Sequence, residues 1–266
     1  MGYRLMSTSF DAAPDLPPAL AWLGAHPLVP VTVGQSEASV WRIDTGAETL
    51  FLKSAPLHPL GELGGEAERL GWLNRVGFPA PSPRIYAEHD GAAWLLMTAL
   101  GGADLTHLAD APDELCQLLA DALRTLHDLD PSACPFDQRL ESRLVAARRR
   151  IAAGLVDEDD FDAARRGWTA ADVMIWLEAH FSPGEDLVVT HGDASLPNVL
   201  AENGRFTGMV DVGRLGVADR WQDLAIACRS IVYNCGPAYL EGFLSAYGTR
   251  WDAARYRYYC ALDELF

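Results

Sequence analysis

The 266-residue sequence predicts an α+β fold in two lobes, a small antiparallel β-sheet lobe with one helix followed by a larger, mainly helical lobe. Three observations predict it. Short apolar and β-branched runs joined by turn residues crowd the stretch from Leu28 to Thr98. Leucine and alanine at helical spacing dominate after Pro112. Between them, Leu100-Gly101-Gly102-Ala103 punctuates the change of pattern and reads as a hinge. Residues 1–21 lack periodicity and carry Pro14, Pro17 and Pro18, so a poorly ordered lead-in is expected there, with the first lobe at 22–99 and the second at 100–266.

In the first lobe, strands are expected at Val29–Val33, Ser39–Ile43 and Thr49–Lys53, with Gly34-Gln35-Ser36 and Asp44-Thr45-Gly46 as the turns between them. Glu62–Val76 sets Ala67, Leu70 and Leu73 on one helical face, and two further strands fall near Arg84–Glu88 and Ala93–Thr98. In the second lobe, Leu115, Leu118, Leu119, Ala122, Leu123 and Leu126 mark a helix opened by Pro112, which suits a first turn. An arginine-rich helix spans Leu140–Ala152, an acidic loop spans Gly154–Asp162, and Thr169-x-x-Asp172 has the form of a capping box. The segments Asp219–Val232, Pro237–Tyr247 and Asp252–Phe266 close the chain as helices.

The chemistry concentrates between two apolar runs. Val188-Val189-Thr190 leads into His191-Gly192-Asp193-x4-Asn198, and Gly208-Met209-Val210 leads into Asp211-x-Gly213. The runs read as short strands from one end of a small sheet, with the polar groups projecting together. Singly, Asp and Asn at such places are ordinary turn formers. Jointly, a carboxylate, an amide oxygen and a second carboxylate are hard donors that suit Mg²⁺ shared with substrate phosphates. Phosphoryl transfer needs such a set, one carboxylate to receive the alcohol proton and two oxygen donors to hold metal on a triphosphate.

Composition narrows the partners. A net charge of −16 repels nucleic acid and anionic membranes and attracts a polycationic small molecule. No apolar run reaches the ~18 residues of a membrane span, and no charged segment followed by an apolar core opens the chain. Five scattered cysteines without a Cys-x-x-Cys fit reduced thiols. A soluble, cytoplasmic protein is expected, a monomer or weak dimer.

At this point the chain resembles the aminoglycoside phosphotransferases, which share the protein-kinase-like fold. His191-Gly192-Asp193-x4-Asn198 and Asp211-x-Gly213-Arg214 look like their catalytic core, while the stretch Asp211–Asp223 and the end Leu262-Asp263-Glu264-Leu265-Phe266 are similar to the 3′-phosphotransferase branch. The resemblance runs from about Trp22 to Phe266. It implies transfer of the γ-phosphate of ATP, with GTP also open, to the 3′-hydroxyl of an aminoglycoside of the kanamycin or neomycin type, with Mg²⁺ and with antibiotic resistance as the result. Asp193 would be the catalytic base, and Asn198 and Asp211 the metal ligands. Arg214 would stabilise phosphoryl charge, or else form a structural ion pair. Lys53 would contact the nucleotide phosphates; Glu62, Glu66 and Glu68 compete to pair with it, and the family pattern favours Glu66. Ser36 would donate to phosphate or be an ordinary hairpin turn, and Met97, Thr98 and Leu100 stand where a backbone would meet the adenine edge. Asp162, Arg229, Asp263, Glu264 and Phe266 would line the acceptor site, although Ala163 and Ser230 stand where such enzymes often carry acids. Only residues 214–218 separate Asp211-x-Gly213 from the next helix, too few for the activation segment of a protein kinase. Two alternatives stay open, a same-fold kinase of another amine-bearing alcohol and a non-catalytic nucleotide-binding module.

Overall fold

The computed structural model describes residues 14–31, 38–180 and 184–266, and the chain divides into two compact units. Unit 1 comprises the residues up to Ala67 and Pro81–Ala99; unit 2 comprises Glu68–Ala80 and Leu100–Phe266.

In unit 1, β1 (Leu28–Val31), β2 (Ser39–Asp44), β3 (Thr49–Pro56), β4 (Pro83–His89) and β5 (Ala92–Thr98) form one antiparallel sheet in the order β1-β2-β3-β5-β4. Side chains alternate between faces along a strand. One face carries Trp41, Ile43, Leu50, Leu52, Trp94 and Leu96, which pack with Leu20 and Leu23 into the core of the unit. Trp41 and Trp94 stack there with ring centroids 6.1 Å apart. Lys53 follows Leu52 and pairs in register with Val40 and Leu95, so it projects from the other face. The first turn of helix α1 (Leu63–Val76) also belongs to this unit.

Residues 18–21, part of the expected lead-in, are helical. Pro18–Ala25 forms a 3₁₀ helix, and Leu20 and Leu23 on it are fully buried. Pro18 opens that helix, where its missing N–H costs nothing.

Unit 2 is built from α2 (Pro112–His127), α3 (Leu140–Ala153), α4 (Ala170–Ala179), α5 (Trp221–Asn234), α6 (Leu240–Tyr247) and α7 (Ala253–Asp263). Helix α2 packs on α6 and α5 on α7. Helix α4 begins with the expected capping box, the Thr169 side chain accepting from Asp172 N–H while the Asp172 carboxylate accepts from Thr169 N–H. The acidic loop holds a short 3₁₀ turn at Glu158–Asp160, and Glu158 accepts from the Ala170 N–H at 2.7 Å, tying the loop to α4.

The two apolar runs flanking the polar loop do not share a sheet. Strand β7 (Leu187–Thr190) pairs with β10 (Gly216–Asp219), Thr190 opposite Gly216. The second run belongs to β9 (Arg205–Met209), which lies beside β8 (Val199–Glu202), itself paired with β6 (Ala103–Asp104). The cause is local: Asn203 and Gly204 join β8 to β9 with φ of 52° and 71°, the positive values of a tight hairpin turn. With β9 committed to that hairpin, β7 takes its partner from beyond Gly213.

Candidate active site

Unit 1 presents a buried ion pair. Lys53 Nζ donates to both carboxylate oxygens of Glu66, at 2.8 and 3.0 Å. Lys53 is 9% exposed and Glu66 3% exposed, so the pair is removed from water and its geometry is held on both sides, by the middle of a five-stranded sheet and by the first turn of α1. The choice left open among Glu62, Glu66 and Glu68 therefore falls on Glu66. Met97 is buried in β5, and Thr98 at its end is held by Ser82, N–H to carbonyl at 3.0 Å and Ser82 N–H to the Thr98 hydroxyl at 2.9 Å. Ser36 lies outside the described residues.

In unit 2 the loop after β7 has little regular structure, yet its polar groups are committed one by one. The carboxylate of Asp223, in the first turn of α5, is fully buried. It accepts from the backbone N–H groups of His191 at 2.7 Å and Gly192 at 2.8 Å, and His127 Nε2 lies 3.0 Å from it. His127 Nδ1 in turn meets the Tyr247 hydroxyl at 2.7 Å. The His191 ring bridges the loop to the neighbouring segment: Nδ1 accepts from Asp193 N–H at 3.2 Å, so Nε2 is the protonated nitrogen and donates to Val210 C=O at 2.9 Å. Val210 N–H donates to Asn198 C=O at 3.0 Å. Gly192 has φ of +87°, and a Cβ there would meet the Arg214 carbonyl oxygen at 2.4 Å, so only glycine fits.

Asp193 and Asn198 come together directly. Asn198 Nδ2 donates to the Asp193 carboxylate and to the Asp193 carbonyl, both at 2.9 Å. Both amide hydrogens are thereby used, and the oxygen is left as the acceptor end. Asp211 adopts φ of 59°, a left-handed conformation that Asp tolerates better than most residues. Burial pushes the Asp193 carboxyl above its ordinary value; Asp263 and Asp211 add to the rise, while Arg214 and His191 oppose it. An amide oxygen beside the Asp193 carboxylate, with the Asp211 carboxyl near enough to raise Asp193, is a donor set that a hard divalent cation would satisfy, with phosphate oxygens and water filling the remaining positions.

The residues expected around the acceptor group into ion pairs. Arg229 pairs with Asp263, and Arg214 Nη1 reaches the same carboxylate at 3.5 Å. Burial pushes Asp263 up, but the two arginines outweigh it and hold the carboxyl below its ordinary value. Arg165 joins Asp162 to Glu264. The Phe266 ring lies against Arg143, whose guanidinium carbon is 3.5 Å from the ring centroid, with that of Arg214 at 5.6 Å. Ser230, one of the two departures noted in the sequence, supports the Asp193–Asn198 loop, its hydroxyl accepting from Leu196 N–H at 3.0 Å.

The sequence profile of the phosphotransferase enzyme family matches residues 27–259. An aminoglycoside 3′-phosphotransferase of Streptomyces fradiae is 40% identical, over 89% of this chain and 94% of that protein. The chain belongs to the aminoglycoside 3′-phosphotransferase family. Another member, from Escherichia coli, is 37% identical, with 88% of each chain covered. Among solved structures of the family, the crystal structure of aminoglycoside-3′-phosphotransferase of type VIII has a TM-score of 0.82 at 35% identity, covering 93% of this chain and 97% of that one. Aminoglycoside phosphotransferase APH(3″)-Id from Streptomyces rimosus, in complex with ADP and streptomycin, has a TM-score of 0.79 at 26% identity, covering 93% and 95%. The mixed α+β fold with an antiparallel sheet in its first unit is the protein-kinase-like architecture of these enzymes.

Three residues of the site carried no role in the sequence reading. Asp223 looked like any acid in a helix first turn, His127 sat at the end of an apolar helical face, and Arg165 was one of two arginines after the acidic loop. No local pattern marks a side chain whose partners lie far along the chain, as Asp223 does with His191, His127 with Asp223 and Arg165 with Glu264.

Proposed function

We propose that this member transfers the γ-phosphate of ATP to the 3′-hydroxyl of an aminoglycoside. The observation that carries the reading is the Asp193 carboxylate, fixed by Asn198 on a loop whose backbone is gripped by a buried aspartate. In this reading Asp193 accepts the proton of the attacking hydroxyl, and its raised proton affinity suits that role. Lys53, oriented by Glu66, holds the α- and β-phosphates, with Met97, Thr98 and Leu100 offering backbone to the base. Mg²⁺, held by Asn198 and Asp211, would neutralise charge on the triphosphate. Arg214 lies close enough to influence Asp193 electrostatically while it tethers Asp263. Most of the rate comes from alignment and charge compensation, as a loose phosphoryl transition state demands. The excess of acid over base in the chain favours encounter with a polycation.

The test is a coupled ADP-release assay over a panel of aminoglycosides, including streptomycin and members that lack the 3′-hydroxyl. Turnover is expected only where the 3′-hydroxyl is present. Asp193→Ala is expected to lose turnover by orders of magnitude and to keep ATP binding; near-normal turnover would remove Asp193 from its role.

A further inference from the structure

One side chain ties the acidic loop to the end of α7. Arg165 is 8% exposed. Its Nε and Nη2 donate to Glu264 Oε1 at 3.2 and 2.9 Å, and Nη2 also donates to Asp162 Oδ2. The Asp162 N–H donates to both Glu264 oxygens, at 3.2 and 3.1 Å, while Asp162 Oδ1 accepts from Ala164 N–H at 2.9 Å. All four carboxylate oxygens are therefore engaged by this chain. Burial pushes the Glu264 carboxyl above its ordinary value, more than Arg165 pulls it back. An incoming ammonium at this corner would have to displace a guanidinium that never loses its charge and is locked in a fork.

We propose that Arg165 is a specificity-determining residue, a built-in stand-in for an acceptor amine at the Asp162–Glu264 corner. The corner then receives an uncharged part of the acceptor, such as a hydroxyl, and gives no advantage to an extra amine. This rests on the acceptor reading above. Ala163 beside it fits the same logic, since it adds no carboxylate that could offset the guanidinium.

The experiment uses matched pairs of aminoglycosides that differ at one ring position, amine in one and hydroxyl in the other. Steady-state ADP release is measured with the wild type, Arg165→Gln and Arg165→Lys. In the wild type at least one pair is expected to show KM values within about twofold. Arg165→Gln is expected to favour the amine member of that pair by about tenfold in KM, the worth of one charge-assisted hydrogen bond, with kcat and the KM for ATP unchanged. Arg165→Lys keeps the charge and is expected to keep the wild-type ratio. A ratio unmoved in Arg165→Gln, or both members shifted equally, leaves Arg165 a purely structural tie and overturns the proposal. If circular dichroism shows that Arg165→Gln does not fold, the wild type decides alone: a preference of about tenfold for the amine in every pair overturns the proposal, and its absence in one pair supports it. No ADP release with any aminoglycoside would bring down the phosphotransfer reading and this inference together, whereas release with unmoved ratios removes only the inference.

Discussion

Replacing Asp223 with Asn tests whether the catalytic loop is held from behind. The substitution preserves shape and removes one acceptor. Of three partners, His191 N–H and His127 Nε2 approach one oxygen, and Gly192 N–H approaches the other. The less costly amide orientation turns its NH₂ toward Gly192. One buried N–H then loses its acceptor, at about 1–3 kcal/mol, and two charge-assisted bonds become neutral, at about 1 kcal/mol each. The sum is about 3–5 kcal/mol, a large share of the stability of any domain. Urea unfolding followed by tryptophan fluorescence would read it as a fall in midpoint at unchanged m-value. Because the loss falls on the peptide groups beside Asp193, kcat for ADP release should fall about a hundredfold while the KM for ATP holds. The double variant with His127→Ala should be less than additive, since both changes act on one carboxylate. A stability change under about 1 kcal/mol with normal kcat would refute the idea that Asp223 positions the loop.

Other expectations follow from the same geometry. Lys53→Ala removes the ammonium partner of a buried carboxylate and should cost about 3 kcal/mol of stability as well as ATP affinity, whereas Lys53→Met with Glu66→Gln should recover stability but not activity, measured by thermal melting beside nucleotide titration. Gly192→Ala forces both a positive φ and a clash with the Arg214 carbonyl, so it should abolish turnover, and refolded protein with normal kcat would contradict the close approach. The Asp137 carboxyl is held down to about 2, chiefly by Arg139, with Ser142 also donating to it. A depressed folded value contributes stability above the ordinary carboxylate pKa and loses it as pH falls toward about 2; Asp137→Asn should therefore flatten that limb in acid-unfolding curves, with a small loss of stability at neutral pH, where the half-exposed pair contributes fully, and little change near pH 2.

The sheet of unit 1 was readable because its strands are short, β-branched and separated by turn residues, and the Thr169 cap because Thr and Asp stand three apart before an apolar run. Pairing was harder. The partner of β7 lies 26 residues away from Thr190, at Gly216, and nothing near either residue announces the other. The Asn203-Gly204 dipeptide did carry a local signal, and following it would have separated the two apolar runs. At the candidate site, Asp193, Asn198 and Asp211 were visible as a spaced motif. Among Glu62, Glu66 and Glu68 the residues alone left the choice open; the family resemblance favoured Glu66, and Lys53 Nζ donates to it. Asp223 and Arg165 stayed hidden because their work is done across 32 and 99 residues of chain, on partners that a linear pattern does not pair.

The segment bearing Asp193 owes its rigidity to α5 and α2 through Asp223 and His127, much as a splint stiffens a limb from outside. Adaptation of this enzyme to heat or cold would then be written in how those two helices pack behind the loop. Drug-resistance variants with altered temperature tolerance should be sought there first, with the motif around Asp193 left as it stands.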